Sequence, residues 1–544
     1  MTTALAPEAA TTLDAPPRSA HAGAIALLRQ MEAVRDPKIA RWRDLEAFIA
    51  PFSSNVRRLT QASEPAEDIL DETIHYCRGT FKAFLGSAMT NPSRRWREWA
   101  LAEKGLASES AGAKKWIYEL NDRASTLHAQ SNFYETMGWV YGEWPVFSTA
   151  VVLIEEDEAD VFRYVPWEIG SYAIADDEKG EPLALSRRFT MTVRQIVRRF
   201  GTRANGMIDL TPFSGHIREL LRSKKWEAPV EVAHLICPNE TPRPGSKLGK
   251  HLPIASYYWE WGRNEAESGP GGFLAHEGYH EWPAMVFRWA RLSGDPWGTD
   301  APGCQTLGAV KSAQLMESDI LTMVEKQHKP SLVVPTGMVN ISMLPAAVNK
   351  VDTVRGQQVG PLYQTLPGGI EQARNSQDRV AERIYSLWYT RLILAANARD
   401  SFSGSQGSSQ PRTAEEIRQI GAERLQILGP VVQAAAPALR MGSEREFAIM
   451  ARRGLLPPAP PEIEGQPLTI EYTSELAVAM RATGLSGLYE HGMRTAEMFR
   501  LTNAQEILDR TDWSEWAQET GERTGLPPNV LRTDDAVAAI VKAR

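Results

Sequence analysis

Two segments in the second half of the chain have apolar residues at helical spacing. The stripe of the first helix consists of Leu307, Val310, Ala313, Met316, Ile320 and Val324. Pro330 ends this helix, and a second one is predicted from Ile370, with a polar first half and an apolar stripe from Val380 to Leu392. A projecting hairpin of two helices cannot bury its own surface. We therefore expect the first stripe to require a partner, and only the second half of the second helix to be buried within its own chain.

The segment between these helices, residues 331–369, favours extended structure. Its short apolar runs, Leu332 to Val334 and Met338 to Val339, are separated by prolines. Proline cannot donate to a β-ladder and disfavours helix at the residue before it, so we predict short edge strands and extended turns.

A Ser/Gly-rich loop, residues 401–411, follows the second helix. Its small polar residues leave almost nothing to pack, so we expect it to be mobile. Thr413 and Glu416 form a capping-box signature, which predicts a third helix from Thr413 to Leu428. A flexible loop between two long helices is well placed to contact a partner.

The first half of the chain is predicted to hold most of the core, because all but Trp388, Trp513 and Trp516 of the 16 tryptophans precede residue 300. Helical patterns cover residues 24–55, 67–90 and 110–144. Strand patterns follow at 150–154 and 161–165, and Tyr257–Trp261 is predicted to pair with Met285–Trp289. A last strand, Leu468–Tyr472, precedes a helical bundle that ends at Ala536–Val541. The predicted fold class is α+β and predominantly helical.

The first strand pair is interpreted as a hairpin with an acidic tip, residues 155–160. A carboxylate cluster of this kind can bind a divalent metal, but the tip lacks the spacing and the glycine of a calcium loop. A solvated turn is the favoured interpretation.

Composition sets independent bounds. A chain of 544 residues with 43% apolar and 23% charged residues is an ordinary soluble protein of several domains. No apolar run approaches the roughly 20 residues of a membrane helix, so no membrane partner is expected. Residues 1–20 lack the basic and apolar regions of a secretory signal and are interpreted as a disordered tail of a protein that stays in the cytoplasm.

Cys77, Cys237 and Cys304 are widely separated and are expected to be buried free thiols, with no structural zinc.

The net charge of −7 disfavours a protein that grips duplex DNA statically, since such proteins present a basic stripe. A mildly acidic chain can still surround DNA and let it slide, because a channel wall that repels phosphates does not bind them.

One motif is typical of an enzyme. His276-Glu277-Gly278-Tyr279-His280 matches H-E-x-x-H, in which two histidines one helical turn apart hold zinc and the glutamate acts as base. Gly278 within the motif and Pro283 after it leave little room for a helix. A chance match on a polar turn is favoured, and a zinc metallopeptidase remains the alternative function.

Arginines beside tryptophans offer a second candidate. Arg94, Arg95 and Arg97 lie next to Trp96 and Trp99 and can stack on nucleic acid, but pairing of helix-terminal arginines with neighbouring subunits is favoured.

The chain resembles the portal proteins of short-tailed bacteriophages (podoviruses), also called head-to-tail connecting proteins. The resemblance rests on the order of several blocks: Met89-Thr90-Asn91-Pro92-Ser93-Arg94-Arg95-Trp96, Ser131-Asn132-Phe133-Tyr134-Glu135, Val146-Phe147-Ser148-Thr149-Ala150, Arg412-Thr413-Ala414-Glu415-Glu416-Ile417, Leu428-Gly429-Pro430-Val431 and Arg453-Gly454-Leu455-Leu456-Pro457-Pro458. No single block decides the match, but their shared order along one chain is specific.

The resemblance implies a division of the chain. It consists of an N-terminal tail (1–20), a wing (21–304), stem helix 1 (305–329), a clip (330–369), stem helix 2 (370–398), a tunnel loop and tunnel helix with a return to the wing (399–475), and a helical crown (476–544). Copies of the subunit, twelve by the family's pattern, would form a ring with a DNA channel at one capsid vertex of the virion, assembled in the host cytoplasm.

The resemblance also implies partners. These are other copies of the chain, double-stranded viral DNA, the major capsid and scaffolding proteins, the packaging terminase, tail adaptor or nozzle proteins and, at the crown, internal core proteins. The subunit would package, retain and eject the genome without being an enzyme or holding a cofactor or metal.

Two sets of residues are candidates for these contacts. The channel-loop set is Arg399, Phe402, Ser403, Gly404, Ser405, Gln406, Gly407, Ser408, Ser409, Gln410 and Arg412. The clip set is Leu332, Val333, Val334, Met338, Val339, Leu344, Lys350, Arg355 and Tyr363. Arg399 and Arg412 either meet passing phosphates, or each caps a helix end or pairs with a carboxylate. A monomeric DNA-binding protein is a further alternative.

Overall fold

The computed structural model describes residues 20–51, 69–102, 110–201, 203–204, 207–210, 213–246, 248–263, 272–333, 360–361, 368–395, 414–461, 463, 465–473, 485–502 and 511–524. The α-helices of this part are α1 (Ala20–Phe48), α2 (Thr73–Met89), α3 (Ala111–Gln130), α4 (Phe133–Phe147), α5 (Val193–Phe200), α6 (Gly215–Arg222), α7 (Pro302–His328), α8 (Gly369–Leu387), α9 (Thr390–Ala395), α10 (Ala414–Arg452), α11 (Leu485–Thr502) and α12 (Trp513–Thr524).

The strands are β1 (Arg97–Leu101), β2 (Thr149–Asp157), β3 (Val161–Trp167), β4 (Tyr172–Asp176), β5 (Pro182–Thr192), β6 (Arg203–Ala204), β7 (Met207–Ile208), β8 (Pro229–Pro238), β9 (Ile254–Glu260), β10 (Ala275–Tyr279), β11 (Ala284–Arg288), β12 (Ala290–Arg291), β13 (Gly298–Thr299), β14 (Leu332–Val333), β15 (Gly360–Pro361) and β16 (Leu468–Tyr472). The predicted α+β class with more helix than strand is confirmed.

The largest core surrounds a three-stranded antiparallel sheet of order β11-β2-β3. Six consecutive residues of β2, from Thr149 to Ile154, are buried, and the strand contacts both α4 and α10. A strand covered on both faces loses the usual alternation of apolar and polar residues, and the sequence Ala-Val-Val-Leu-Ile has none. The predicted hairpin of β2 and β3 is confirmed. β2 extends beyond both of its predicted ends, whereas β3 begins at the predicted residue and ends two residues later than predicted.

A five-stranded antiparallel sheet of order β10-β9-β8-β5-β4 forms the second body. Alternate residues of β8 point to opposite faces. Val230 and Val232 pack in the cluster that includes α5 and α6, whereas Ala233 and Leu235 pack in the cluster that includes α1. The sheet is therefore covered by helices on both sides.

The predicted pairing of Tyr257–Trp261 with Met285–Trp289 is wrong. β9 pairs with β8 and β10, whereas β11 pairs with β2 in the other sheet. Both segments have strand patterns, but the pattern of a strand does not identify its partner, because the choice depends on which sheet faces the strand can cover.

A two-stranded sheet of β1 and β16 packs on the main core and precedes the C-terminal helices in the chain. The predicted strand Leu468–Tyr472 is confirmed as β16, which pairs with β1. Next to it, Thr473 N donates to Trp96 O at 2.8 Å. Further along the chain α11 and α12 pack through Trp516, whose ring lies against Tyr489 and Gly492. The end of the predicted bundle, residues 536–541, and the predicted N-terminal tail, residues 1–19, lie outside the described residues.

Among the described helices, none combines the length and the apolar character that crossing a membrane requires.

Candidate functional site

The two long helices that the sequence predicts form an antiparallel pair, α7 and α8. α7 begins against the turn between α4 and β2, where a Cβ on Gly303 would lie 2.7 Å from the backbone of Val146. Only glycine allows this close approach. The indole Nε1 of Trp388, at the end of α8, donates to Thr306 Oγ1 at 3.1 Å. These contacts fix the base of the helix pair on the main core.

Polar contacts hold the middle of the pair. Gln314 on α7 accepts hydrogen bonds from the backbone N–H groups of Leu70 and Asp71 at 2.7 and 3.0 Å and donates to Asp71 O at 2.8 Å. Gln377 on α8 donates to Glu317 Oε2 at 2.6 Å. A buried glutamine with its groups satisfied specifies how α7 lies on the segment before α2.

The expectation that the first stripe requires a partner is wrong for most of its length. Val310, Ala313 and Ile320 are buried within the chain, and Leu307 and Met316 pack against the same core. The covering surfaces come from α8, α1 and α4. Helical periodicity identified the apolar face correctly but not what covers it.

Other apolar residues of α7 remain in contact with solvent. Leu315 is 64% exposed, Leu321 49% and Met323 37%. The polar first half of α8 is also exposed, and its buried residues Val380 and Ile384 lie in the second half, which confirms the prediction for that helix. The outer surface of the pair is thus a mixture of polar and apolar side chains.

A short strand pair closes the far end of the pair. Leu332 and Val333 form β14, which is antiparallel to Gly360 and Pro361 in β15. The prediction of edge strands is confirmed at these four residues. Val333 is 49% exposed. The other predicted clip residues, namely Val334, Met338, Val339, Leu344, Lys350, Arg355 and Tyr363, lie outside the described residues.

The second helix is shorter than predicted, because α8 ends at Leu387. Tyr389 has a φ of 53°, a left-handed conformation that interrupts a helix, and α9 resumes at Thr390. The predicted channel loop, from Arg399 to Arg412 and including Phe402, lies outside the described residues, as does Thr413 of the predicted capping box.

The third helix is much longer than predicted. α10 runs from Ala414 to Arg452 and contains Pro430 and Pro437, whereas the sequence predicted an end at Leu428. An internal proline removes one helical hydrogen bond. The helix continues because Leu428, Val431, Ala435, Ala438 and Leu439 are buried in the main core, and this burial outweighs the cost.

A buried cluster of polar groups fixes the second half of α10. The guanidinium of Arg97 on β1 donates to Ser443 Oγ and to Glu446 Oε2 of α10. Glu446 also accepts from the Tyr164 hydroxyl at 2.7 Å, and its Oε2 lies 2.8 Å from His128 Nε2. Strands β1 and β3 and helices α3 and α10 therefore meet at one carboxylate.

The charges of this cluster are mutually balanced. Burial by itself would raise the pKa of Glu446, but the adjacent Arg97 and His128 lower it to about 2. Burial lowers the pKa of His128, Glu446 opposes this shift, and Arg97 lowers the pKa further. The carboxylate of Glu446 is therefore held in its charged form beside Arg97.

The contacts of Arg95 and Arg97 show what these arginines, which lie next to Trp96 and Trp99 in the sequence, bind in the folded chain. Arg97 is buried, and its guanidinium lies 4.2 Å from the ring centroid of Trp99. Arg95 pairs with Asp122 at 3.0 Å and lies over Tyr118. The partners of Arg97 are buried within the same chain, so the prediction of pairing with neighbouring subunits is wrong for Arg97. For Arg95 it stays a prediction. The buried rings of Trp96 and Trp99 are not accessible for stacking on nucleic acid.

The end of α10 is attached by ion pairs. Arg445 and Arg452 share the carboxylate of Glu281, and Arg453 binds Glu156 at 2.8 Å. Glu156 belongs to the predicted acidic tip, where the backbone N–H groups of Asp160 and Ala159 bond to Asp157 and lower its pKa. The predicted turn is confirmed for residues 158–160, whereas Glu155, Glu156 and Asp157 belong to strand β2.

Comparison with known proteins identifies the family. A sequence model of the family described as bacteriophage head to tail connecting protein matches residues 21–531. The chain belongs to this family. The match extends from α1 to α12, so the resemblance drawn from the sequence blocks is confirmed.

Two curated relatives of this head to tail connecting protein are similar over most of their length. The chain is 28% identical to the portal protein of Salmonella phage epsilon15 over 530 residues, covering 95% of this chain and 90% of that protein. It is 26% identical to the probable portal protein of Bordetella phage BPP-1 over 522 residues, covering 95% and 89%. A solved chain from the virion of a native gene transfer agent particle has a TM-score of 0.34 and 9% identity, covering 78% of this chain and 89% of that chain.

The enzyme-like motif of this connecting protein is a strand. His276, Glu277 and Gly278 lie in β10, paired with β9, and the His276 ring is tilted against Tyr257 with 4.5 Å between the ring centroids. The turn predicted here is therefore corrected to a strand, which cannot place two histidines one helical turn apart. Within the described residues no group of His, Cys, Asp and Glu is arranged to hold a metal.

The cysteines are free thiols. Cys77 and Cys237 are buried, and Cys304 is partly buried. Burial raises the pKa of the Cys77 and Cys237 thiols to about 11, so both are unreactive at neutral pH.

Proposed function

We propose that the chain is the subunit of a portal ring at one capsid vertex of a bacteriophage virion, through which the genomic DNA is packaged, retained and ejected. The family match over residues 21–531 carries this proposal. The portal proteins among its relatives match along nearly the whole chain.

The division of the chain follows from the same proposal. Residues 21–304 form the wing, α7 and α8 form the stem, the segment between them forms the clip, and residues 476–544 form the crown. The fixed base of the stem on the main core and the short strand pair at its far end support a rigid projecting arm, which is the geometry that a ring of such arms around a channel requires.

Neighbouring copies of the chain would bury the exposed apolar residues of the stem. Leu315, Leu321 and Met323 are apolar residues on a helix that the chain leaves exposed, and closed rings bury such residues between neighbours. Twelve copies would form the ring. Imaging of the purified protein by negative-stain electron microscopy, together with its mass by mass photometry, tests this proposal. A particle with a central hole is expected, and a compact monomer at high concentration would contradict it.

The channel loop and the clip are assigned different contacts. Residues 399–412 would face passing DNA, whereas residues 332–366 would bind the packaging terminase and later the tail adaptor. The subunit would hydrolyse no nucleotide itself. Capsid and scaffolding proteins would contact the wing, and core proteins inside the head the crown. Assembly would take place in the host cytoplasm.

Deletion of Ser403–Gln410 separates a channel role from a structural one. We expect the deleted protein to form rings of normal size, while packaging or retention of DNA is reduced, because the deleted residues are small and polar and offer almost nothing to pack. DNA content per particle measures the effect. Loss of ring formation in the deleted protein would assign the loop a structural role instead.

A further inference from the structure

Positive charge is concentrated in one segment of an acidic protein. Residues 192–225 contain eight Lys or Arg and two Asp or Glu, whereas the whole chain has a net charge of −7. The segment comprises α5, α6 and the residues between and after them. Its net positive charge is opposite in sign to that of the protein that carries it.

The packing of this segment directs the positive charge outward. Val193, Ile196 and Phe200 of α5 and Ile217 of α6 are buried in the core on one face of the five-stranded sheet. Arg194 and Arg198 lie four residues apart on the opposite side of α5, and both are exposed. At 1.5 Å per residue these positions are about 6 Å apart along the helix axis.

The end of α6 extends the same surface. Arg222, Lys224 and Lys225 are exposed, and the next residue, Trp226, accepts a hydrogen bond from Arg194 N at 2.9 Å. The basic residues after α6 are thus adjacent to the start of α5. We name Arg194, Arg198, Arg222, Lys224 and Lys225 the cationic surface.

Few carboxylates neutralise the cationic surface. Arg194 pairs with Glu227 at 2.7 Å, and Arg222 approaches Glu219 only to 3.9 Å. Arg198, Lys224 and Lys225 have no ion pair within the described part of the chain.

Three of the five carboxylates at the acidic tip of the β2–β3 hairpin are engaged within their own chain. Glu155 binds Arg199 at 3.0 Å, Glu156 binds Arg453, and Asp157 accepts backbone hydrogen bonds. The tip therefore offers little free negative charge to the cationic surface of a second copy, and an external polyanion is the partner assigned to that surface.

The backbone at Lys224 adds an independent observation. Lys225 N donates to Leu220 O at 2.9 Å, and Lys224 N donates to Leu221 O at 3.0 Å, the pair of bonds that ends a helix at a left-handed residue. That residue is usually glycine, but here Lys224 adopts a φ of 55°. A lysine is strained in this conformation, which glycine adopts without steric cost.

We propose that the cationic surface binds the phosphate backbone of duplex DNA without sequence preference, at a site on the wing that is separate from the channel loop. The inference rests on the proposed function, which brings the protein into contact with DNA. Long basic side chains on short helices suit phosphate contacts, which carry no sequence information. The negative charge of the rest of the chain would confine the duplex to this surface.

Binding of full-length rings to a fluorescently labelled duplex of arbitrary sequence, measured by anisotropy over a series of salt concentrations, tests the proposal. The test variant combines Arg198→Ser, Lys224→Gly and Lys225→Ser. A matched control combines Lys115→Ser, Arg494→Ser and Arg500→Ser, which removes the same charge from exposed positions elsewhere.

Lys224→Gly removes the charge and relieves the backbone strain at this residue, so the melting temperature of that single variant should be equal to or higher than that of the wild type.

We expect the test variant to bind the duplex more weakly and with a flatter dependence of log K on log salt. The slope should fall by about 0.9 for each phosphate contact that is lost, whereas the control should retain the slope of the wild type. Equal slopes for test variant and wild type would overturn the proposal. So would a test variant that loses binding of polyglutamate but not of DNA, because the surface would then recognise an acidic polypeptide. If the wild type forms no rings, the proposed function fails; if its rings form but the slopes are equal, only this inference fails.

Discussion

A single carboxylate in the core joins elements that are distant in the sequence. Glu446 contacts Arg97, His128 and Tyr164, and its side chain is 1% exposed. Burying an ion pair gives little net stabilisation, but removing one partner leaves the other charge buried without compensation. Substitution of Glu446 is therefore expected to change the stability of the fold more than substitution of a nearby charged residue on the surface.

Glu446→Gln should destabilise the chain by about 3–5 kcal/mol, because Arg97 would remain buried and charged without its counterion. Thermal or urea unfolding of the full-length protein measures the change. Glu444→Gln, two residues earlier on α10 with a side chain 62% exposed, is the control and should alter the stability by less than about 0.5 kcal/mol. Equal effects of the two substitutions would show that the cluster does not hold α10.

The same cluster predicts a dependence on pH. The pKa of Glu446 is about 2 in the folded protein, below its ordinary value of 4.5, so its stabilisation is present above pH 4.5 and is lost as the pH falls toward 2. Burial also lowers the pKa of His128 below 6.5, so its contribution is present above pH 6.5 and declines below it. The melting temperature of the wild type should fall as the pH is lowered from 7, first below pH 6.5 and again below pH 4.5. The Glu446→Gln variant should lack the fall below pH 4.5. A Glu446→Gln profile parallel to the wild type would argue against this assignment.

At the scale of elements, α7 combines two different surfaces. Its face toward α8, α1 and α4 is satisfied within the chain, whereas Leu315 and Leu321 are exposed. Stability of the subunit and assembly of the ring should therefore depend on different residues of one helix.

Leu315→Ser combined with Leu321→Ser should leave the unfolding of the isolated subunit nearly unchanged and should reduce ring formation, because only neighbouring copies would bury these side chains. Mass photometry at a fixed concentration gives the fraction of rings. Ile320→Ser, at a residue that is 4% exposed, is the contrasting variant and should destabilise the subunit itself. Normal ring formation by the double variant would mean that neighbours contact the stem elsewhere.

At the scale of the whole molecule, β16 links the C-terminal part of the chain to the main core. β16 pairs with β1 beside the buried cluster, and the Tyr472 hydroxyl donates to Ala436 O of α10 at 2.9 Å. Further along the chain, α11 and α12 pack on each other through Trp516.

Truncation after Thr473 should preserve the cooperative unfolding of the body, whereas truncation after Gly465 should lower its melting temperature, because the second change removes the partner of β1 and the hydrogen bond of Tyr472. Differential scanning calorimetry of both proteins tests the prediction. Similar losses in the two truncated proteins would indicate that the C-terminal helices also stabilise the body.

Local patterns in the sequence determined the helices on either side of the clip, the hairpin of β2 and β3 and the strand Leu468–Tyr472. The order of the sequence blocks also indicated the family. These features depend on residues close together in the chain, whose spacing defines a helical stripe or a strand. The predicted Ser/Gly loop and most of the predicted clip fall outside the described residues and stay predictions.

The tertiary structure alone decided what each surface contacts. It paired β11 with β2 instead of β9, covered the stripe of α7 within the chain and continued α10 through Pro430 and Pro437. It also buried Arg97 against Glu446, 349 residues later in the sequence. The physical reason is the same in each case: burial and charge pairing depend on residues that folding brings together, and local spacing carries no information about them.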